Sequence, residues 1–238
     1  MHPIIKLSFK LAARGVMVFL FTVSLIACKS TASSTPTTSS SAQTSQATPI
    51  IKVKLPDPFE FPTPKGRQLG NENATVTVEV FSDFQCPSCK QYATSVEPQI
   101  IQQYVATGKV LYVYHHYAII GPESIQAANA SMCAVEQNLF WEYHNFLFAN
   151  QGSENHGAFA DAKLLAFASA AGVDMNAFTT CFNQKRYQAD IDKDLALGKS
   201  KGIFGVPSVF VNGTPVSPKY IPSVKDLQTA IDKALAQH

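Results

Sequence analysis

The segment FSDFQCPSCK, residues 81–90, decides how the rest of the chain can be interpreted. An apolar alternation with valine at positions 76, 78 and 80 precedes it and predicts a β-strand that ends in this segment. A helical pattern begins at Pro87, so Cys86 and Cys89 lie at the start of a helix, three positions apart. One turn of helix brings such residues together. The segment therefore predicts a pair of redox-active thiols at a strand-to-helix junction.

The helix N-terminus gives the two cysteines different roles. Unpaired backbone N–H groups and the positive end of the helix dipole favour a thiolate at Cys86. Cys89 can then attack a mixed disulfide on Cys86 and release the bound partner. A zinc site is the main alternative, but it needs two further Cys or His ligands. Cys133 and Cys181 are 48 residues apart and neither belongs to a second CxxC motif, so we predict no metal.

Composition limits the classes of function that the chain can have. The chain has 238 residues, of which 46% are hydrophobic and 15% are charged. This is enough for one domain with a core and some additional segments. The formal net charge is only +2, and the first 28 residues hold three of the basic side chains and no acid. We therefore predict no nucleic-acid partner.

Residues 1–27 are typical of a bacterial lipoprotein signal peptide. Basic residues precede an apolar run of 13 residues from Gly15 to Ala27. A membrane-spanning helix needs about 20 residues, whereas this length fits a signal peptide. The run ends in LIAC, residues 25–28, which resembles a lipobox and implies lipidation of Cys28. An ordinary signal peptide, or an uncleaved anchor, is the alternative.

Residues 28–49 predict a flexible tether between the lipid anchor and the folded domain. Of the 19 residues from Ser30 to Thr48, 13 are Ser or Thr, and none is aromatic or branched-aliphatic. Such a segment buries too little apolar surface to offset the entropy lost on ordering. We expect an extracytoplasmic protein that a lipid anchor holds at the cell membrane.

Four cysteines remain if Cys28 is lipidated, and they can be paired in three ways. Adjacency favours Cys86 with Cys89 and Cys133 with Cys181. The second pair would close a span of 48 residues, which is worth about 4 kcal/mol in the chain-entropy model. We interpret it as a structural disulfide, and a second, regulatory redox pair is the alternative.

The order of elements predicts an α/β protein with a thioredoxin-like fold and an inserted α-helical domain. Residues 50–73 are rich in proline and predict an extended segment, with one short strand at 51–55. The thioredoxin-like domain is expected at 74–121 and 201–238, and the helical insertion at 122–200. The following elements are expected: strands 74–81, 110–117, 208–211 and 214–217, and helices 87–107 (kinked at Pro98), 123–138, 140–150, 161–171, 175–183, 187–200 and one from Ser223.

Two motifs together resemble one known family. The segment at 81–89 is similar to the active-site segment of DsbA-like thiol–disulfide oxidoreductases of the thioredoxin superfamily. The second motif is GVPS, residues 205–208, directly before the third strand of the predicted domain. The resemblance implies that Pro207 is cis and packs against the CxxC motif, and that the backbone of Val206 binds substrate. Further residues around the active site would be Asp83, Phe84, Pro87 and Ser88.

This resemblance implies an enzyme that needs no cofactor. Its substrates would be exported proteins with reduced cysteines, and a quinone-linked membrane protein of DsbB or VKOR type would reoxidise it. We favour disulfide introduction because Val206 is similar to the residue of oxidases, and because residues 50–73 are too few for an isomerase dimerisation domain. A reductase or isomerase of the same fold is the first alternative, and a non-catalytic binding lipoprotein is the second.

One position departs from the family pattern. Many relatives have a buried acid six residues before the first cysteine, as proton acceptor for the second thiol, and here that position is Val80. Glu79 is adjacent, but neighbouring strand residues point to opposite faces. Glu79 is therefore a surface residue unless a bulge redirects it. Asp83 is a substitute to consider, and the proton acceptor of Cys89 stays unassigned.

Overall fold

The computed structural model describes residues 51–217 and 221–237. The expected signal peptide, the tether and the lipidation of Cys28 all lie outside the described residues. Within those ranges, no helix is both long enough and apolar enough to cross a membrane.

A six-stranded mixed sheet forms the centre of the fold, in the order β1-β2-β4-β3-β5-β6. Its strands are β1 (Pro64–Lys65), β2 (Gln68–Gly70), β3 (Val76–Ser82), β4 (Val110–His116), β5 (Ser208–Val211) and β6 (Thr214–Val216). The central strands β3 and β4 are parallel, as the strand–helix–strand pattern predicts, and the other pairs are antiparallel. The predicted α/β fold class is confirmed.

Eight α-helices accompany the sheet in the described residues. They are α1 (Pro87–Ser95), α2 (Glu97–Ile100), α3 (Pro122–Val135), α4 (Phe140–Ala149), α5 (Asp161–Ala171), α6 (Met175–Asn183), α7 (Gln188–Ser200) and α8 (Val224–Leu235). Helices α3 to α7 all fall between β4 and β5. The bounds of α5 and α6 agree with the prediction: α5 begins at Asp161 and is followed by Gly172, while Asp174 caps the start of α6, which ends at Asn183.

The single helix predicted over 87–107 is divided in the structure. Helix α1 ends at Ser95, and α2 begins at Glu97 after a distorted residue at Val96. Pro98 has no N–H to bond to the carbonyl of Thr94, so the helical hydrogen bonds are interrupted just before it. One turn of π-helix, Ile101–Val105, follows α2, and Gly108 ends the element with a positive φ of 72°. The predicted kink is therefore a break.

The expectation for residues 50–73 was wrong in detail. No strand forms at 51–55, and instead β1 and β2 make a hairpin that adds to the outer edge of β4. Gly66, with φ 56°, provides the turn between them. Arg67 in this turn donates a hydrogen bond to the carbonyl of Tyr114 and pairs with Asp194 of α7. The hairpin therefore also connects the sheet to the last helix of the insertion.

The C-terminal strands and helix agree with the elements that the sequence predicts. Asn212 and Gly213 both have positive φ, at 44° and 75°, as a type I′ turn between β5 and β6 requires. Pro215 lies on the edge strand, where its missing N–H is not needed. Ser223 and Asp226 form a reciprocal capping box at the start of α8.

A disulfide joins two helices of the insertion. Cys133 of α3 and Cys181 of α6 are bonded, with their Cα atoms 5.8 Å apart. Both side chains are buried in the main hydrophobic core. The bond therefore connects the first and fourth helices of the insertion across 48 residues of chain.

We predict that the double variant Cys133→Ala/Cys181→Ala folds but loses about 4 kcal/mol of unfolding free energy, because a loop of this length no longer restricts the unfolded chain. Urea unfolding followed by circular dichroism measures the loss. The double variant Cys86→Ala/Cys89→Ala serves as a control for the removal of two cysteines elsewhere. Equal stability of the Cys133→Ala/Cys181→Ala variant and the wild type would contradict the expectation.

Candidate active site

Cys86 and Cys89 lie where β3 passes into α1. Strand β3 ends at Ser82, a short turn follows, and the N–H of Cys86 donates to the carbonyl of Asp83 at 3.0 Å. Cys86 precedes the first helical residue, and Pro87 takes that first position, where no N–H is required. Both cysteines are free thiols in the structure. The predicted placement of the pair at a helix N-terminus is therefore observed.

The environment of Cys86 favours its thiolate. A hydrogen bond from the Cys89 thiol has the largest effect, and the backbone N–H groups of Cys89 and Ser88 add to it against the cost of burial. Together they lower the pKa of Cys86 to about 7 from an ordinary value of 9.0. Cys86 is 8% exposed, whereas Cys89 is 0% exposed, so Cys86 is the more accessible of the two thiols.

The environment of Cys89 has the opposite effect. Its side chain is completely buried. Burial raises the pKa of Cys89 well above its ordinary value, and the hydrogen bond and charge of Cys86 raise it further. The backbone N–H of Asp83 and the side chain of Ser82 act in the other direction. Of the two thiols, Cys86 is therefore the more exposed and the more readily ionised near neutral pH.

The GVPS motif, residues 205–208, lies next to the CxxC motif in the structure. The Val206–Pro207 peptide bond is cis, directly before β5, which is paired with β3. The Cys86 thiol donates a hydrogen bond to the carbonyl of Val206 at 3.4 Å, although 120 residues separate them. A groove of about 420 Å³ lies beside this bond and is lined by Val206 and Pro207 together with Ser88 and Phe204. Phe204 is 99% exposed beside the groove.

Asp83 anchors the redox loop, residues 83–86, which connects β3 to α1. One of its carboxylate oxygens accepts a hydrogen bond from the N–H of Gln85 at 2.9 Å. The other accepts from the N–H groups of Ile119 and Ile120, at 2.9 Å and 3.1 Å. Both oxygens are thus occupied by backbone donors. The charge of Asp83 also raises the pKa of Cys86 slightly.

Side chains from the helical insertion hold the same loop in place, and no motif predicted these contacts. Gln151, just after α4, donates to the carbonyls of Phe84 and Cys86, at 2.7 Å and 3.0 Å. Gln85 accepts from the N–H of Asn155 at 2.6 Å, and its amide donates back to the Asn155 side chain at 3.1 Å. The insertion therefore sets the position of the redox loop.

The structure shows whether Glu79 is a surface residue or is redirected by a bulge. Strand β3 pairs with both neighbours in unbroken register, so no bulge redirects this residue. Its carboxylate accepts a hydrogen bond from the Lys201 ammonium at 3.0 Å and lies 3.3 Å from His115. Val80, at the position of the family acid, is almost completely buried. Glu79 is therefore a member of an ion cluster on the other face of the sheet.

Comparison with known proteins gives a consistent result. A family model described as thioredoxin matches residues 62–233, which is more than half of the chain. A Bacillus cereus protein named "Probable disulfide bond formation protein D" is 28% identical over 173 residues. That alignment covers 71% of this chain and 78% of the relative.

Solved structures share the same fold. The oxidised form of BdbD from Bacillus subtilis has a TM-score of 0.67 and 24% identity, covering 74% of this chain and 97% of that one. The α-DsbA1 structure from Wolbachia pipientis has a TM-score of 0.63 and 25% identity, covering 74% and 94%. The insertion of helices between β4 and β5 is thus part of a fold that other proteins also have.

We predict that alkylation of Cys86 in the reduced protein accelerates with pH around a midpoint of about 7, because the thiolate is the reactive form. Iodoacetamide labelling followed by peptide mass spectrometry measures the rate at each pH. Cys86→Ala should remove this phase. A midpoint near the ordinary value of 9.0 would show that the site does not stabilise the thiolate.

A second variant tests the cause of this low pKa. Cys89→Ala removes the hydrogen bond that has the largest effect on Cys86, so the alkylation midpoint should move upward. Cys89→Ser retains a hydroxyl donor and should keep the midpoint closer to that of the wild type. An unchanged midpoint in Cys89→Ala would mean that the helix N-terminus alone sets the pKa of Cys86.

Proposed function

Because this chain belongs to the thioredoxin family and is a DsbA-like member of it, we propose that it is a thiol–disulfide oxidoreductase whose redox pair is Cys86 and Cys89. The observation that supports this most directly is the difference between the two thiols. Cys86 is the more exposed of the two, has a lowered pKa and is hydrogen-bonded to Val206 of the groove, whereas Cys89 is completely buried with a raised pKa. The exchange needs this division between an attacking thiol and a resolving thiol.

The proposed reaction in the oxidising direction has two steps. A client thiolate attacks Cys86 in the Cys86–Cys89 disulfide, and Cys89 leaves with the bonding electron pair and takes up a proton. A second client thiolate then attacks the sulfur of its own chain in the mixed disulfide, and Cys86 leaves as a thiolate. The client loses two electrons to the cysteine pair, and a new client disulfide is formed. The low pKa of Cys86 favours it as the leaving group.

Val206 and Pro207 are proposed to bind the client chain beside Cys86. The Val206 carbonyl already accepts a hydrogen bond from the Cys86 thiol, so a chain in the groove would place its cysteine within reach of that sulfur. Ser88 lines the same groove. Phe84 is proposed to support the redox loop because its ring stacks on that of Tyr114, with the ring centroids 5.6 Å apart. Pro87 is proposed to support it by occupying the first position of α1.

We favour the introduction of disulfides into exported proteins. The name of the Bacillus cereus relative and the valine before Pro207 support this direction. A reductase is the second candidate, because a pKa of about 7 at Cys86 equals that of the thioredoxin thiol, whereas the strongly oxidising DsbA has about 3.5. The charge-free dipeptide of Pro87 and Ser88 between the cysteines is consistent with this milder value.

The proposed location is extracytoplasmic, with the protein lipid-anchored to the cell membrane on its periplasmic or outer face. The sequence of residues 1–49 supports it, with a lipid on Cys28 as the anchor and the Ser/Thr-rich segment as the tether. Exported proteins with reduced cysteines would be the clients, and a quinone-linked membrane protein would restore the disulfide. We propose a structural role for the bond between Cys133 and Cys181, because it lies in the core of the insertion.

Exchange with a reduced dithiol peptide tests the function. The oxidised wild type should form the peptide disulfide, and Cys86→Ser should abolish this, because no sulfur remains for the client to attack. Cys89→Ser should still form mixed disulfides, now with an oxidised peptide, and should accumulate them, since resolution is lost. If the wild type binds the peptide but exchanges no disulfide, the protein is a binding lipoprotein and not an enzyme.

The reduction potential determines the direction. Equilibration with glutathione buffers, followed by quantification of free thiols, gives the potential of the Cys86–Cys89 pair. A value near about −120 mV supports an oxidase, and one near about −270 mV supports a reductase. The Cys133→Ala/Cys181→Ala variant is the control, because the second disulfide should not take part in this equilibrium.

A further inference from the structure

Five ionisable side chains form a cluster on the face of the sheet that carries Glu79. They come from separate segments of the chain: Arg67 just before β2, Glu79 on β3, His115 on β4, Asp194 on α7 and Lys201 directly after α7. Each side chain is between 8% and 22% exposed. Charges that are so largely removed from water need partners, so the contacts within this ion cluster tie its segments to one another.

His115 lies at the centre of the ion cluster, between two carboxylates. Its Nδ1 atom is hydrogen-bonded to the Asp194 carboxylate at 3.2 Å. Its Nε2 atom is buried and lies 3.3 Å from a carboxylate oxygen of Glu79, close enough for an ion pair but without the alignment of a hydrogen bond. The ring is also stacked on that of Phe81, with the ring centroids 4.6 Å apart. The imidazole is therefore held at both edges and on one face.

The position of the two carboxylates favours a charged imidazole. A neutral ring has one protonated nitrogen, and its other nitrogen would direct a lone pair at a carboxylate oxygen. The imidazolium instead presents a proton to both Asp194 and Glu79. Burial opposes the charge, but the two carboxylates outweigh it, so the pKa of His115 is raised above its ordinary value of 6.5.

Glu79 connects His115 to the groove beside Cys86. The second carboxylate oxygen of Glu79 accepts a hydrogen bond from the Lys201 ammonium at 3.0 Å. That ammonium also lies over the Phe210 ring, 4.9 Å from its centroid. Lys201 lines the groove together with Val206. The contacts of His115 therefore extend, through one carboxylate, to the wall of the groove.

Asp194 connects His115 to α7. It pairs with Arg67 and accepts a hydrogen bond from the backbone N–H of His116 at 2.9 Å. Helix α7 leads directly into the groove loop, which we define as residues 201–206. The first three amides of this loop donate to carbonyls in the last turn of α7, at 3.0 Å, 3.0 Å and 3.1 Å. Through its two carboxylates, His115 thus holds both the helix and the start of the loop.

A small core packs between the ion cluster and the groove loop. Its buried members are Phe81, Tyr117, Ile203 and Phe210. Val206 packs against this core, and the Tyr117 hydroxyl donates to the carbonyl of Ile203 at 2.9 Å. Because His115 stacks on Phe81, the imidazole borders the same core that supports the groove loop.

Histidine is the side chain in this ion cluster that ordinarily changes its charge between about pH 5 and 8. The adjacent His116 is buried, and burial lowers its pKa to about 3, so it stays neutral. Against the effect of burial, the hydrogen bond to His115 and the charge of Arg67 lower the pKa of Asp194 to about 2. The pKa of Glu79 is also lowered, chiefly by His115. A change of charge near neutral pH therefore falls on His115.

We propose that His115 is a pH-sensitive positioning residue: as an imidazolium between Glu79 and Asp194 it fixes α7 and the groove loop against the sheet, and its deprotonation loosens that loop. The consequence for clients rests on the proposed function, in which the groove beside Val206 and Pro207 binds them. On deprotonation the proton goes to solvent, and one ring nitrogen then faces a carboxylate with no proton between them. Client affinity is therefore highest while His115 is charged.

The expected pH dependence of binding is opposite to that of thiol reactivity. A group whose pKa is raised in the folded protein contributes fully below its ordinary value, here 6.5, and its contribution is lost as the pH rises through the raised value. The Cys86 thiolate becomes more abundant around pH 7. Rising pH therefore activates the attacking thiol while it loosens the groove loop.

Peptide binding by the oxidised protein tests this role, because neither Cys86 nor Cys89 titrates in the disulfide. A rhodamine-labelled form of the dithiol peptide, with serine in place of both cysteines, is titrated by fluorescence anisotropy from about pH 6 to about pH 9. The wild type should bind about three- to tenfold more weakly at the upper end. NMR of the His115 ring nitrogens gives their protonation, and both curves should share one midpoint above 6.5.

Matched variants separate the charge of His115 from its packing. His115→Gln is neutral throughout and should bind the peptide weakly at every pH, whereas His115→Lys keeps a positive charge and should still bind tightly at about pH 9. In disulfide exchange, His115→Gln should raise KM with little change in kcat. His156→Gln removes an exposed histidine of the insertion and should behave like the wild type.

Hydrogen exchange of the groove loop gives a measure that needs no client. At a fixed pH of about 6, the amides of residues 201–203 should exchange about three- to tenfold faster in His115→Gln than in the wild type. The amides of α5 serve as the internal control and should exchange equally in both proteins. Faster exchange in the loop alone would support the positioning role.

Three results would overturn the inference: loss of the His115 charge below pH 6.5, equal loop exchange in His115→Gln and the wild type, or the same pH dependence of binding in both. The last result would assign the effect to another group, such as Glu97, whose pKa burial raises to about 8. A failure of the proposed function is distinguishable. In that case the wild type would not exchange disulfides with the dithiol peptide, while loop exchange would still report on His115.

Discussion

The register of β3 between β4 and β5 is the constraint on which the site depends. Strand β3 pairs in parallel with β4 along its whole length and antiparallel with β5 on its other side. The start of α1 and the start of β5 must therefore lie at the same end of the sheet. This pairing brings the Cys86 thiol to 3.4 Å from the Val206 carbonyl, and a shift of β3 by one residue would turn its buried side chains to the other face of the sheet.

Cys86 and Cys89 are one turn of helix apart, and their thiols differ in burial and in pKa. Cys86 is at the helix end, where backbone N–H groups are unpaired, and Cys89 is on the buried side of the first turn. Water and amide groups stabilise charge on the first sulfur, while the apolar core opposes it on the second. The hydrogen bond between the two thiols increases the difference, because it lowers one pKa and raises the other.

Local sequence patterns predicted the helices and strands, but they could not predict contacts between residues that are far apart in the chain. The helices predicted at 161–171 and 175–183 and the strand predicted at 208–211 have the same bounds in the structure, and the strand predicted at 214–217 pairs with the latter in the last hairpin. The β1–β2 hairpin was missed because its strands have only two and three residues, too few for an alternation to show. The CxxC motif and the proline motif identified the candidate site. Gln151 and Asn155 could not be found in this way, since each reaches the site through tertiary contacts.

The anchoring of the redox loop by Asp83 also has an electrostatic consequence. Its carboxylate is buried, and it fixes the loop through Gln85, Ile119 and Ile120. A fixed negative charge repels any second one nearby, and reduction of the pair creates such a charge on Cys86. The oxidised pair carries no charge and feels no repulsion. The carboxylate that anchors the loop therefore shifts the redox equilibrium slightly towards the disulfide. This makes the Cys86–Cys89 pair a slightly weaker oxidant.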